Sequence, residues 1–103
     1  MSKGYHTEWY IRGEHRADPD YIAAGAAIAL GQAVYDRRTA LGLSQEQLAR
    51  QAGLSEVEIE HIEGGATTPT LPLLHALARA LDAKADLSID ADETHLSFVA
   101  HAA

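Results

Sequence analysis

The sequence predicts a mainly α-helical domain closed by a short C-terminal β-hairpin. Apolar residues recur at three- and four-residue steps from Ile22 to Leu41 and again from Leu71 to Leu81, the spacing of a helix face. Between those stretches, Ser44 with Gln47 and Ser55 with Glu58 each set a capping hydroxyl three residues ahead of a side chain that can reach back. After Ala85 the apolar period becomes two, that of a strand. A chain of 103 residues, 47% apolar, suffices for one small domain with a modest core. It divides into an N-terminal arm (1–17), a helical unit (18–84) and a hairpin with its tail (85–103).

In the arm, Thr7, Trp9 and Ile11 alternate with Glu8, Tyr10 and Arg12, compatible with a strand or with a segment that orders on a partner. Asp18-Pro19-Asp20 then opens a helix: an Asp side chain caps free amides, Pro suits the first turn, and Asp20 favours the positive end of the dipole. This helix runs to about Leu41, with Ile22, Ala26, Ala29, Leu30, Ala33, Val34, Arg37 and Leu41 as its inward face. Gly25 and Gly31 weaken it and mark either a kink or a close helix contact.

Gly42 ends the first helix, and Ser44 opens the second, which runs to about Gln51 with Leu48, Ala49 and Ala52 turned inward. Gly53 permits the positive φ of a sharp turn. Ser55 opens the third helix, buried through Ile59 and Ile62 and stopped at Gly64-Gly65. Thr70 caps a fourth, to about Asp82, with Pro72 in its first turn and Leu71, Leu74, Leu77, Ala78 and Leu81 as its core stripe. Strands at Ala85–Ile89 and Leu96–Val99 flank Asp90-Ala91-Asp92-Glu93, with Leu87, Ile89, Leu96 and Phe98 as pairing positions. A lone hairpin is marginal in water, so this one must pack on the helices or on a second subunit.

Composition excludes several function classes. Without cysteine there is no disulfide framework and no thiolate metal site, which fits a reducing compartment, the cytoplasm. The N-terminus lacks the apolar core of a signal peptide, and the apolar run from Ile22 to Tyr35 is shorter than the roughly 20 residues needed to cross a bilayer. No Gly-rich phosphate loop precedes a helix, and the six histidines are scattered without metal-ligand spacing. No catalytic residue, metal site or cofactor is expected, and the chain does not read as an enzyme.

Two short capped helices joined through Gly53 match a helix-turn-helix, whose second helix enters the DNA major groove. From about Gly31 to Asp86 the chain resembles the phage-repressor and Cro type of helix-turn-helix, the XRE family. The resemblance rests on "LGLSQEQLARQAGLS", an Ile-x-x-Ile-Glu-x-Gly ending, Pro-Thr-Leu and "ALARALDA", in that order and spacing. It implies a lambda-repressor-like bundle of four to five helices, with Gln45 beginning the positioning helix. It also implies that Glu56, Val57, Glu58, Glu60 and His61 lie on the exposed side of the recognition helix, with Glu56, Val57 and His61 reaching base edges. Ser44, Gln45, Arg50 and Ser55 complete the expected DNA-contacting set. The family's pairing of an Arg late in the first helix with the Glu closing the third implies a structural ion pair between Arg38 and Glu63. The long lead helix and the "ALDAKADLSI" ending further resemble small regulators that include bacterial antitoxins.

The content of the motif sets a physical problem. Affinity for nucleic acid rests largely on basic side chains that neutralise phosphates. Yet the chain has a net charge of −7, and no Lys or Arg lies between Gln51 and Ala78. Carboxylates can accept from cytosine N4, Val57 can meet a thymine methyl, and helix N-termini near Gln45 and Glu56 can hold phosphates. Two readings follow. One is a sequence-specific DNA-binding transcriptional regulator, a homodimer on double-stranded operator DNA and an antitoxin or autorepressor in its finer form. The other is a protein-interaction module that uses the acidic third helix or the aromatic arm on a toxin or other protein partner, with weak or no DNA binding.

Overall fold

A computed structural model of the chain describes residues 18–101, so the N-terminal arm predicted for residues 1–17 lies outside the described residues. Helix α1, Pro19–Ala40, begins where the Asp18 carboxylate accepts from the Asp20 amide at 2.8 Å, with Pro19 in the first turn. Helices α2 (Gln45–Ala52), α3 (Glu56–Glu63) and α4 (Leu71–Ala80) follow, then strands β1 (Ala83–Ile89) and β2 (Thr94–Ala100). The strands form one antiparallel pair in which Ala85 lies opposite Phe98, Leu87 opposite Leu96 and Ile89 opposite Thr94.

All of these elements share a single core. Leu30 and Val34 of α1, Leu48 of α2, Ile59 and Ile62 of α3, Leu77 and Leu81 from α4 and its end, and Phe98 of β2 are buried together. α1 packs against α3 and carries β2 along its length, while α4 meets α2 and β1. The hairpin therefore completes the helical bundle. One glycine fixes how closely α1 and α3 approach: a Cβ built on Gly31 would lie 2.5 Å from the Ile62 carbonyl oxygen and 3.0 Å from that of Glu63. Of the two roles open to Gly31, the structure shows the close helix contact. Gly25, with nothing within 4 Å of its Cβ position, marks no such contact.

Three details differ from the sequence expectation. α4 ends at Ala80, and the chain reverses at Leu81 and Asp82, where Asp82 takes a φ of 50°. Asp tolerates this left-handed conformation better than most residues. Arg37 of α1 holds the reversal, donating from Nε to the Leu81 carbonyl at 3.1 Å and from Nη2 to the Asp82 carbonyl at 3.0 Å. Two carbonyls at a helix end thus gain a charged donor from a residue 44 positions away, which no local rule foretells. The strands consequently start early, at Ala83 and Thr94. Finally, Leu41 and Leu71, placed on inward faces by their spacing, are exposed. Both helical leucines stand at helix ends, past the turns that a neighbouring element covers.

Candidate nucleic-acid interface

The motif is built by local chemistry at three points. At the start of α2 the Ser44 hydroxyl accepts from the Gln47 amide at 3.0 Å while the Gln47 side chain accepts from the Ser44 amide at 2.8 Å. Ser55 and Glu58 repeat the arrangement at the start of α3, at the same distances. Between them Gly53 sits at φ 73°, ψ 29°, and its amide donates back to the Ala49 and Arg50 carbonyls. Glycine reaches this conformation without the strain that a Cβ adds, which closes α2 and redirects the chain into α3 within a few residues. Replacing Ser55 with Ala should destabilise the protein by about 1 kcal/mol, the usual loss on removing an N-cap hydroxyl. Urea denaturation measures it, and an unchanged midpoint would mean that the cap is dispensable.

α3 is anchored by Ile59 and Ile62, both essentially without solvent exposure. One turn away, Glu56, Val57, Glu60 and His61 are exposed, Val57 at 57%. Glu56 and Glu60 stand four residues apart, as do Val57 and His61, and Val57 and Glu60 three, so the four form one surface strip. Glu58 is exposed as well, but its carboxylate is held on the Ser55 amide. Glu63 is withdrawn altogether, its side chain 7% exposed and its oxygens accepting from Arg38 Nε at 2.6 Å, Arg38 Nη2 at 2.9 Å and Gln45 Nε2 at 3.0 Å. Arg38 also donates to the Leu43 carbonyl at 2.8 Å and lies over the Tyr35 ring. The hydrogen bond to Glu63 raises the guanidinium pKa against the opposing pull of burial, so Arg38 is cationic at every relevant pH.

The site residues expected from sequence therefore fall into two groups. Glu56, Val57, Glu60 and His61 come together on the open strip. Ser44, Ser55 and Glu58 serve the helix caps, and half-buried Gln45 is bound to Glu63. The three arginines near the motif are engaged as well. Arg37 holds the end of α4 and Arg38 holds Glu63, while Arg50 is 68% exposed and pairs with Glu46 at 3.2 Å. An exposed pair one turn apart is weak and gives way readily to a phosphate. Arg50 is thus the cation of the motif most open to an anion, joined by the first amides of α2 and α3, which no helical carbonyl accepts.

Sequence spacing alone missed one cluster. The hairpin turn, closed by the Asp90 amide on the Glu93 carbonyl at 2.9 Å, brings ligand atoms of Asp90, Glu93 and His95 within 4.8 Å of one another. All three are exposed, and His95 Nε2 lies 3.3 Å from Glu93. Only the turn and the register make them neighbours. No helix among the described residues is long and apolar enough to cross a membrane.

Comparison with known proteins agrees with this architecture. Residues 29–88 match the helix-turn-helix domain family. An uncharacterized HTH-type transcriptional regulator of Methanothermobacter thermautotrophicus is 42% identical over 48 residues, which cover 47% of this chain and 70% of that one. Among solved structures, the restriction-modification controller protein C.AhdI from Aeromonas hydrophila superposes with a TM-score of 0.52 at 39% identity, over 54% of this chain and 85% of its own. A point mutant of the controller protein C.Esp1396I superposes with a TM-score of 0.54 over 57% of this chain and 79% of its own; at 22% identity it speaks for the fold alone.

Proposed function

The chain belongs to the helix-turn-helix domain family, and from that premise we propose that it is a sequence-specific DNA-binding transcriptional regulator that acts as a homodimer. The observation that carries this reading is the strip on α3. A helix pinned by Ile59 and Ile62 turns Glu56, Val57, Glu60 and His61 outward, at the end of a tight turn that can present them to a major groove. Residues 18–84 are the reading unit, and residues 85–103 extend it. The relatives named above, a transcriptional regulator and restriction-modification controllers, support the same class of activity.

The chemistry of the strip sets what the DNA must offer. Glu56 and Glu60 are acceptors, so they suit the amino group of cytosine, and Val57 suits a thymine methyl. Amides at the starts of α2 and α3, with Arg50, hold the backbone. Two half-sites about one helical turn apart then give each copy the same contacts. Affinity should depend only shallowly on salt, with a log–log slope on the order of −2 for a dimer offering one Arg50 per copy. Fluorescence anisotropy with the protein's own upstream duplex and a scrambled one, at low and physiological salt, tests the reading. Preference for the native duplex that persists at physiological salt supports it, and equal binding to both sinks it.

One observation favours a second reading. Two of the three arginines near the motif are spent inside the fold, while Glu56 and Glu60 face solvent. Such a surface also suits a basic protein, and an antitoxin would combine a DNA-reading face with a toxin-binding one. Loss of all duplex preference, together with capture of a basic partner that Glu56→Gln and Glu60→Gln release, would favour it.

A further inference from the structure

Towards its tip the inner face of the hairpin is left open by the helices that bury its base. Side chains alternate across a strand, so Ala85, Leu87 and Ile89 of β1 share a face with Leu96 and Phe98 of β2. At the base of the hairpin Phe98 is buried in the core, whereas towards the tip Leu87 is 44% and Ile89 70% exposed. Facing them are Ile22 and Ala26 of α1 and Leu71 in the first turn of α4, the last 67% exposed. Between these elements runs an open groove of about 480 Å³, and no charged residue lines it.

We propose that this groove is the dimer interface, filled by the same groove of a second copy about a two-fold axis. The proposal rests on the reading of the protein as a dimeric DNA-binding regulator. Charge selects the occupant. Two chains of net charge −7 repel one another, so they associate most readily where neither presents a charge. A basic partner would instead be drawn to carboxylates, which this groove lacks. Self-association suits the groove, because Ile89 and Leu71 line it and stay largely exposed, so one surface offers both apolar side chains and the space for them, as a self-complementary interface requires. Position agrees too: no lining residue belongs to α2 or α3, so a copy seated here covers neither helix of the reading motif. The hairpin, marginal as a two-stranded sheet, gains the cover that its tip lacks.

Sedimentation velocity on the full-length chain, with Leu71→Glu and Ile89→Glu variants and Ser97→Glu on the opposite hairpin face as control, tests this. The native chain and the control should sediment at twice the 11.0 kDa chain mass. Each groove variant should weaken association at least tenfold while keeping its far-ultraviolet circular dichroism. Because the two substitutions fall on different elements, misfolding of one leaves the other to decide. A monomeric native chain, or groove variants that dimerise like the native protein, would overturn the proposal. So would a monomer in which both variants shift the emission of Trp9, the chain's single tryptophan, since residues 1–17 would then be the occupant. Anisotropy on the same samples separates the two readings. A groove-dependent dimer without duplex preference keeps the interface and removes the regulator, whereas duplex preference in a dimer indifferent to the groove does the reverse.

Discussion

Replacing Gly31 with Ala will destabilise the protein by about 3 kcal/mol, at the upper end of what overpacking usually causes, and lower its melting temperature by roughly 10–20 °C. The added Cβ would lie 2.5 Å from the Ile62 carbonyl oxygen and 3.0 Å from that of Glu63. Both are backbone atoms at the end of α3, so no rotamer change can relieve the clash. α1 and α3 must separate, which loosens the packing of Leu30 and Ile62 and draws Glu63 away from Arg38. Gly25 in the same helix is the control, because a Cβ there meets nothing within 4 Å. Gly25→Ala should stabilise by about 0.5–1 kcal/mol through helix propensity alone. Thermal and urea denaturation of both variants checks the pair, and equal effects at the two positions would refute the close-approach account.

Removing the Glu63 side chain is expected to have the second large effect. Glu63→Ala leaves the Arg38 guanidinium and the Gln45 amide without their shared acceptor in a site where the two ionic side chains are only 12% and 7% exposed. The loss should be about 3 kcal/mol, the lower end for breaking a buried pair, since Arg38 keeps its bond to the Leu43 carbonyl. In a double-mutant cycle with Arg38→Ala, the double variant should lose less than the sum of the singles. DNA binding should move the other way. The variant loses an anion and frees a cation beside the start of α2, so its affinity for non-specific duplex at low salt should rise even as its stability falls. Additive stability losses would show that the two residues do not act as a pair.

Much of the architecture was legible because it depends on residues a few positions apart. The capping boxes at Ser44 and Ser55 and the cap at Asp18 join a side chain to a backbone group two or three residues away, and the turn at Gly53 joins its amide to carbonyls three and four residues back, contacts that spacing reports directly. The strip of Glu56, Val57, Glu60 and His61 was expected through family resemblance, and its exposure agrees with the helical period that buries Ile59 and Ile62. The Arg38–Glu63 pair was expected only through family resemblance, as nothing in the local sequence links positions 25 apart. Arg37, by contrast, was read as part of an apolar face. Its grip on the end of α4 depends on where that helix finishes in space.

The sequence by itself determined four capped helices, a glycine-closed turn, a terminal hairpin and an acidic outward face on α3, because these follow from short-range hydrogen bonding and the periods of helix and strand. Tertiary structure decided which charges remain open to a ligand. It drew Arg37, Arg38, Gln45 and Glu63 into the fold and left Arg50, Glu56 and Glu60 outside, since long-range donors settle on whatever carbonyl or carboxylate the packed helices bring within reach. It also decided that the hairpin's apolar face stays open towards the tip, because burial depends on how closely the neighbouring elements pack and an alternating strand pattern carries no record of that.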